Sequence, residues 1–291
     1  MWLILGGEGQ LGLSLQLTLS KANIPFRAVG RDALDICNRD ECIRIIKEIQ
    51  PQVVVNCAAW TAVDLAEDNE EQAFNINCTG SRNVAIACRE VNAALVHIST
   101  DYVFSGVSDI PYETDSPTAP TSVYGRSKLC GELAVGEELP ECSYIFRTAW
   151  LYSQFRGNFV KTMVRKALAH SPVRVVSDQL GQPTVATDLA QHIIEVVGSN
   201  TPYGIFHGTN SGQASWYELT KEIYTLLKVD TSLVTPVPTS EYPTRAVRPQ
   251  YSVLSHSRTS NLGLQEMTDW KMALLNALPT IKQQILKEDQ K

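Results

Sequence analysis

Tyr124 and Lys128 stand four residues apart in the segment Tyr124-Gly125-Arg126-Ser127-Lys128. On an α-helix, positions i and i+4 share a face, so this spacing sets an ammonium beside a phenol. A cation there favours phenolate and is expected to draw the tyrosine below its ordinary value. Such a phenol can pass a proton to a carbonyl oxygen, while the lysine can hold the ribose of a nicotinamide nucleotide. The spacing recurs at Tyr217/Lys221 and Tyr224/Lys228, so it does not identify a site unaided. Those two copies share one amphipathic segment with Trp216, Leu219, Ile223, Leu226 and Leu227 on its apolar face, and read as ordinary helix-surface pairs. Tyr124 differs because it follows the strand-like run Ala94-Leu95-Val96-His97-Ile98-Ser99, which ends in Thr100 and Asp101. Strand ends are where open α/β sheets bind ligands, and Thr100 adds a hydroxyl donor. Thr100, Tyr124 and Lys128 thus form a candidate proton-donating site for a ketone.

The elements that must position this site begin at the first residues. The apolar run Trp2-Leu3-Ile4-Leu5 is followed by Gly6, Gly9 and Gly12, with a helix opening at Gln10 and Leu11. A tight turn off a buried strand needs a residue without Cβ, and a pyrophosphate must come close to the backbone at the helix N-terminus. Strand and helix signals then alternate. Phe26–Val29 reads as a strand, Arg39–Ile49 as a helix, Gln52–Cys57 as a strand covered on both faces, and about Glu70–Val91 as one long helix. Another helix starts near Ser122, and a strand covers Ser143–Arg147. The pattern predicts an α/β fold with a Rossmann-type, doubly wound parallel sheet over residues 1–150. After Trp150 the rhythm loosens into helices at Asn158–Ala169, Asp188–Val197 and Trp216–Leu227, with short strands at Val173–Ser177 and Ile205–His207. Residues 151–291 are expected to form mainly a smaller C-terminal substrate-binding lobe, with some elements returning to the sheet. Its last helix, Thr268–Leu286, is expected to break or kink at Pro279, and the proline-rich stretch Thr235–Ser257 to shape a pocket as an ordered loop.

Composition narrows the classes of function. The chain has 291 residues, 44% of them hydrophobic and 19% charged, as in a globular protein with a substantial core. A net charge of −6 without a basic run argues against nucleic acid or an anionic membrane as partner. No apolar stretch approaches the length of a membrane span, and no basic segment precedes the first strand, so neither an anchor nor a secretory signal is expected. The seven cysteines include no C-x-x-C pair and are expected to be reduced and mostly buried, which points to the cytoplasm. His97, His170, His192, His207 and His256 are scattered, so no metal site is expected. At the end of the second strand, Arg31 can neutralise a 2′-phosphate, which favours NADPH; the neighbouring Asp32 leaves NADH open.

With these residues in view, a family resemblance becomes specific. Gly6-Gly7-Glu8-Gly9-Gln10-Leu11-Gly12 and Ser99-Thr100-Asp101-Tyr102-Val103-Phe104-Ser105-Gly106 closely resemble the dTDP-4-dehydrorhamnose reductase family of extended short-chain dehydrogenase/reductases. Asn56–Asp64, Ala73–Asn77, Arg147–Tyr152, Asp178–Thr184 and Arg248–Leu254 are similar to further segments of that family, so the likeness runs through nearly the whole chain. The resemblance implies reduction of the 4-keto group of a dTDP-6-deoxy-L-sugar, giving dTDP-L-rhamnose. It implies that Thr100, Asp101 and Tyr124 meet the sugar, Lys128 the cofactor ribose, Trp150 the sugar nucleotide and Arg248 its diphosphate. It places the cofactor against Ala58, Ala59, Trp60 and Ser99 as well as the glycine loop, with Asp35 and Ile36 flanking the adenine, and it points to a homodimer. Trp60, Tyr251 and Ser255 depart from the family's usual residues, which bears on the shape of the sugar pocket. Two other readings share the fold. A sugar-nucleotide dehydratase or epimerase is disfavoured by Tyr102, where dehydratases carry glutamate. A catalytically silent NADP-binding subunit need not keep Thr100, Tyr124 and Lys128 together.

Overall fold

The computed structural model describes residues 1–290. Five parallel strands, β1 (Trp2–Leu5), β2 (Phe26–Val29), β3 (Val53–Asn56), β4 (Ala94–Thr100) and β5 (Ser143–Thr148), join a sixth, Gly204–His207. Their order across the sheet is β2, β1, β3, β4, β5 and Gly204–His207. The winding reverses between β1 and β3, which opens a crevice beyond their carboxyl ends. Central strands are apolar on both faces because helices cover both, and β1, β3 and β5 are buried along their whole lengths.

One face of the sheet packs Leu3, Leu5, Val54 and Leu95 against Ile45 and Ile46 of the helix α2 (Arg39–Ile49) and against Val84 and Cys88. The other packs Ile4, Val55 and Phe146 against Leu11, Leu15 and Leu19 of the helix α1 (Gln10–Lys21) and against Leu189 and Ile193. Leu189 and Ile193 belong to the helix Ala186–Gly198, so late segments of the chain complete the sheet layer. A separate apolar cluster has buried members only from Tyr152 onward. It joins Val160 and Val164, Leu219 and Ile223, and Trp270, Leu274, Leu278, Ile281 and Ile285 of the last helix.

Three local features differ from the sequence reading. The expected helix Glu70–Val91 is continuous in direction but contains a π turn at Asn75–Gly80, between Glu70–Phe74 and Ser81–Glu90. Buried Asn77 in that turn bonds the backbone of Trp60 and the hydroxyl of Ser127, which is the kind of tertiary demand that stabilises a π bulge. The last helix runs unbroken over Trp270–Glu288 through Pro279. Pro279 lies on its exposed face, while Leu278 and Ile281 stay seated in the core, so packing outweighs the one lost bond. Finally, Cys78 and Cys130 form a disulfide with a Cα–Cα distance of 5.2 Å, which corrects the expectation that all seven cysteines are free. The π turn and the helix Val123–Glu138 pack closely enough, at Gly131 against Asn77, to bring the two sulfurs together.

Candidate active site

A cavity of about 590 Å³ opens at the carboxyl ends of β1, β3, β4 and β5. Its wall includes Thr100 and Asp101 at the end of β4, Tyr124 and Lys128 on the helix Val123–Glu138, and Trp150 and Arg248 from later segments. Gly9, Gln10, Leu11, Gly12 and Ser99 line it too. A second cavity of about 270 Å³ is lined by Gly6, Arg31, Asp35, Ile36 and Ala58. Gly9, Cys57 and Ala59 border both, so the two make one trough. Trp60 borders neither. It packs against the cluster of Ala66, Ala73 and Val123, and its indole N–H donates to the Ala62 carbonyl. Tyr217 and Tyr224, the other tyrosines with the four-residue spacing, also lie off the trough. Tyr217 packs on the C-terminal cluster, and the buried Tyr224 donates to the Ser171 carbonyl at 2.8 Å.

The glycine loop fits a dinucleotide. Gly6 has φ of +69°, and a Cβ there would sit 2.7 Å from the Ala58 nitrogen, so a side chain would push β1's loop off β3. Gly9 caps α1 without supplying a side-chain acceptor, which leaves N–H groups of the first turn available to an anion. Gln10 is held from across the trough: its Oε1 accepts from Ser153 Oγ at 3.1 Å and from Asn158 Nδ2 at 2.9 Å. Arg156 donates to the Glu8 carbonyl at 2.7 Å. Sequence reasoning missed Ser153, Arg156 and Asn158, because their partners lie more than 140 positions away.

Burial dominates the titratable groups. Tyr124 is raised, not lowered: desolvation of its phenolate outweighs the hydrogen bond from Thr100, and the charges of Asp101 and Tyr102 push the same way. The expected lowering by lysine is thus corrected. Lys128 instead donates to the Ile98 carbonyl at 2.6 Å, and burial draws its ammonium down to about 8 against the opposing pull of Glu132 and Cys57. Asp101 is raised to about 6 by burial, although Thr100 Oγ1 donates to it at 2.9 Å. Its other carboxylate oxygen is buried without a partner. Glu132, one turn beyond Lys128, forms a buried pair with Arg147 at 2.7 Å and also accepts from Ser99. Arg248 donates to the Tyr102 hydroxyl at 2.9 Å and pairs with Asp64.

A family model described as RmlD substrate binding domain matches residues 1–283. The chain belongs to this family. Among relatives of this RmlD-family chain is a dTDP-4-dehydrorhamnose reductase of Streptomyces griseus, 43% identical over 96% of this chain and 93% of that protein. Another is a dTDP-4-keto-6-deoxy-D-glucose reductase of Streptomyces niveus, 41% identical over 96% and 97% of the two chains. A solved dTDP-4-dehydrorhamnose reductase of Bacillus anthracis, in complex with NADP, superposes with a TM-score of 0.92 at 38% identity, covering 96% of this chain and 98% of the other. No helix among the described residues is long and apolar enough to cross a membrane.

Proposed function

We propose that this RmlD-family chain reduces the 4-keto group of dTDP-4-dehydro-6-deoxy-L-mannose to the alcohol of dTDP-L-rhamnose, using NADPH. The observation that carries the proposal is one trough joining the glycine loop and Arg31 to Thr100, Tyr124 and Lys128. Gly6, Gly9, Gln10, Leu11 and Gly12 would hold the pyrophosphate, Ala58 and Ala59 the adjoining groups, and Asp35 and Ile36 the adenine. Arg31, largely exposed and 3.9 Å from Asp35, would meet a 2′-phosphate.

Held by these residues, NADPH would supply the hydride for the carbonyl carbon. Tyr124 carries the proton for the oxygen, and its raised affinity for that proton keeps the phenol protonated until negative charge develops beside it. Thr100, whose hydroxyl donates to Asp101 in this structure, would turn that proton to the same oxygen as the second donor. Lys128, anchored on Ile98, would hold the cofactor ribose, and the Tyr124 phenolate then regains a proton from solvent. With that hydride, the proton from Tyr124 would complete the reduction of the ketone to an alcohol. We propose that residues 1–150 serve mainly the cofactor and residues 151–291 mainly the sugar nucleotide, through Trp150 and Arg248. Arg248 would exchange its bond to Asp64 for the diphosphate, since a guanidinium can bridge phosphate oxygens.

Steady-state NADPH consumption with dTDP-4-keto-6-deoxy-L-mannose tests this, alongside Tyr124→Phe. Turnover by the wild type and its loss in the variant are expected. The Streptomyces niveus relative makes the D-gluco 4-keto sugar the comparison substrate. Faster turnover of that sugar would reassign the substrate and keep the chemistry, whereas NADPH binding without oxidation by either sugar would refute the reductase reading.

A further inference from the structure

Stability does not explain the placement of Glu132 and Arg147. Each keeps only 3% of its side-chain surface exposed, and Arg147 reaches both carboxylate oxygens, with Nε 3.0 Å from one and Nη2 2.7 Å from the other. A buried ion pair gains little over apolar side chains of the same size, and deeper on this face β4 and β5 do carry Leu95 and Ile145. The pair sits at the carboxyl ends of the strands, where the lysine is held. Glu132 lies one turn beyond Lys128 on the helix Val123–Glu138 and accepts from Ser99 Oγ. Ser99 follows Ile98, whose carbonyl takes the Lys128 ammonium, and Arg147 is its register partner on β5. Arg147 also donates to the Thr114 carbonyl at 3.0 Å and lies 4.9 Å over the Phe104 ring, so the segment after Thr100 is tied to the same pair.

Most other titratable groups around Lys128 are held neutral. His97, two residues before Ser99, is fully buried, and burial draws it far below the ordinary histidine value. Burial also pushes the Cys57 thiol up to about 12 and keeps the Tyr124 phenol protonated. Asp101 accepts from Thr100 and bears on Tyr124. Glu132 is the carboxylate that bears on Lys128, opposing the pull of burial on the ammonium. The count of donors gives that charge a use. An ammonium has three N–H groups, and with one on Ile98 two remain, whereas a neutral amine would keep one. Two donors suit the two hydroxyls of a ribose. We infer that Glu132 is a positioning residue for Lys128: with Ser99 and Arg147 it fixes the backbone that anchors the lysine, and its carboxylate holds the proton on the ammonium. The inference rests on the proposal that Lys128 meets the cofactor ribose, but its test requires no turnover.

The proton itself is followed. In the full chain labelled with carbon-13 lysine, the Lys128 ε-methylene signal is identified by its absence from Lys128→Met and titrated by NMR without nucleotide. Its midpoint is expected near pH 8 in the wild type. Glu132→Gln should lower that midpoint by about one pH unit or more, since an opposite charge one helical turn away is lost. Glu132→Asp keeps the charge and should recover most of the shift. Because Glu132→Gln leaves Arg147 buried without a counter-charge, Glu132→Leu/Arg147→Leu is the variant expected to stay folded, and its midpoint should fall likewise. A midpoint unmoved in whichever of these two folds overturns the inference, because a pair that only supports the fold does not set the lysine's proton. So does a fall in Glu132→Asp as large as in Glu132→Gln, because charge would not be the cause. A shifted midpoint in a chain that never reduces the keto-sugar would sink the proposed reaction and leave the role of Glu132 standing.

Discussion

The two ends of the trough are built on opposite principles. Around the smaller cavity the polar groups are exposed: Arg31 keeps 78% of its side-chain surface open, and its contact with Asp35 is long at 3.9 Å. Around the larger cavity they are buried, with Thr100 5%, Asp101 2% and Lys128 2% exposed. Solvent screens the first set, so its charges choose a partner at little cost to the fold. Burial makes the second set costly and shifts the proton affinities of Asp101, Tyr124 and Lys128. The molecule concentrates its electrostatic cost where the proton moves and keeps the selection of cofactor cheap.

The largest effect that would break this contrast is at Tyr124. Loss of a positioned general acid costs on the order of 10²–10⁴ in rate, and Tyr124→Phe should fall in that range while NADPH affinity holds. A loss below about tenfold would mean that the buried end does not deliver the proton. Lys128 sharpens the point through pH. Its ammonium gives up a proton near pH 8, so kcat/KM should fall as pH rises through about 8. Lys128→Met should remove that alkaline limb together with most of the activity. A limb that persists in this variant belongs to another group.

Asp101 tests burial as a cost to stability. In the unfolded chain its carboxyl titrates near 3.8, and in the folded chain near 6. Between those values the folded form holds a proton that the unfolded form has lost, so stability falls as pH rises through this window and stays lower above it. Asp101→Asn has no such proton to lose. At neutral pH the variant should be more stable than the wild type by about 1–3 kcal/mol, with little or no advantage below pH 4, while its activity drops. Urea midpoints on both sides of the window check this, and equal gains at both pH values would show that ionisation is not the cause.

What the sequence made legible follows the same division. The glycine loop and the Tyr124–Lys128 pair are local patterns whose geometry is set within a turn or two, and both border the trough that the strand alternation implies. The spacing predicts a lowered proton affinity for the tyrosine, whereas its burial raises it, and burial is not visible in the spacing. Arg156 and the Glu132–Arg147 pair carry no local signature, since each takes its meaning from a partner brought in by the fold. The disulfide and the π turn share one cause, the close approach of two helices around Asn77, which no periodicity encodes. Pro279 is the opposite case. Propensity disfavours it, but a proline on the wet face of a well-seated helix breaks no packing.

The smallest expected effect lies at the exposed end, and it is the most selective. Arg31 touches little else in the fold, so Arg31→Ala should leave thermal stability nearly unchanged. If its guanidinium meets a 2′-phosphate, its loss should raise KM for NADPH by roughly tenfold, the worth of one charge-assisted contact at a partly screened site. NADH lacks that phosphate, so its KM should move by less than about twofold, and kcat with either cofactor should hold. Raising the ionic strength should shrink the wild type's preference for NADPH but not the variant's, because only the former rests on an exposed charge pair. Equal changes in KM for both cofactors would place Arg31 at the shared part of the dinucleotide, and the choice between them would then fall to the neighbouring Asp32.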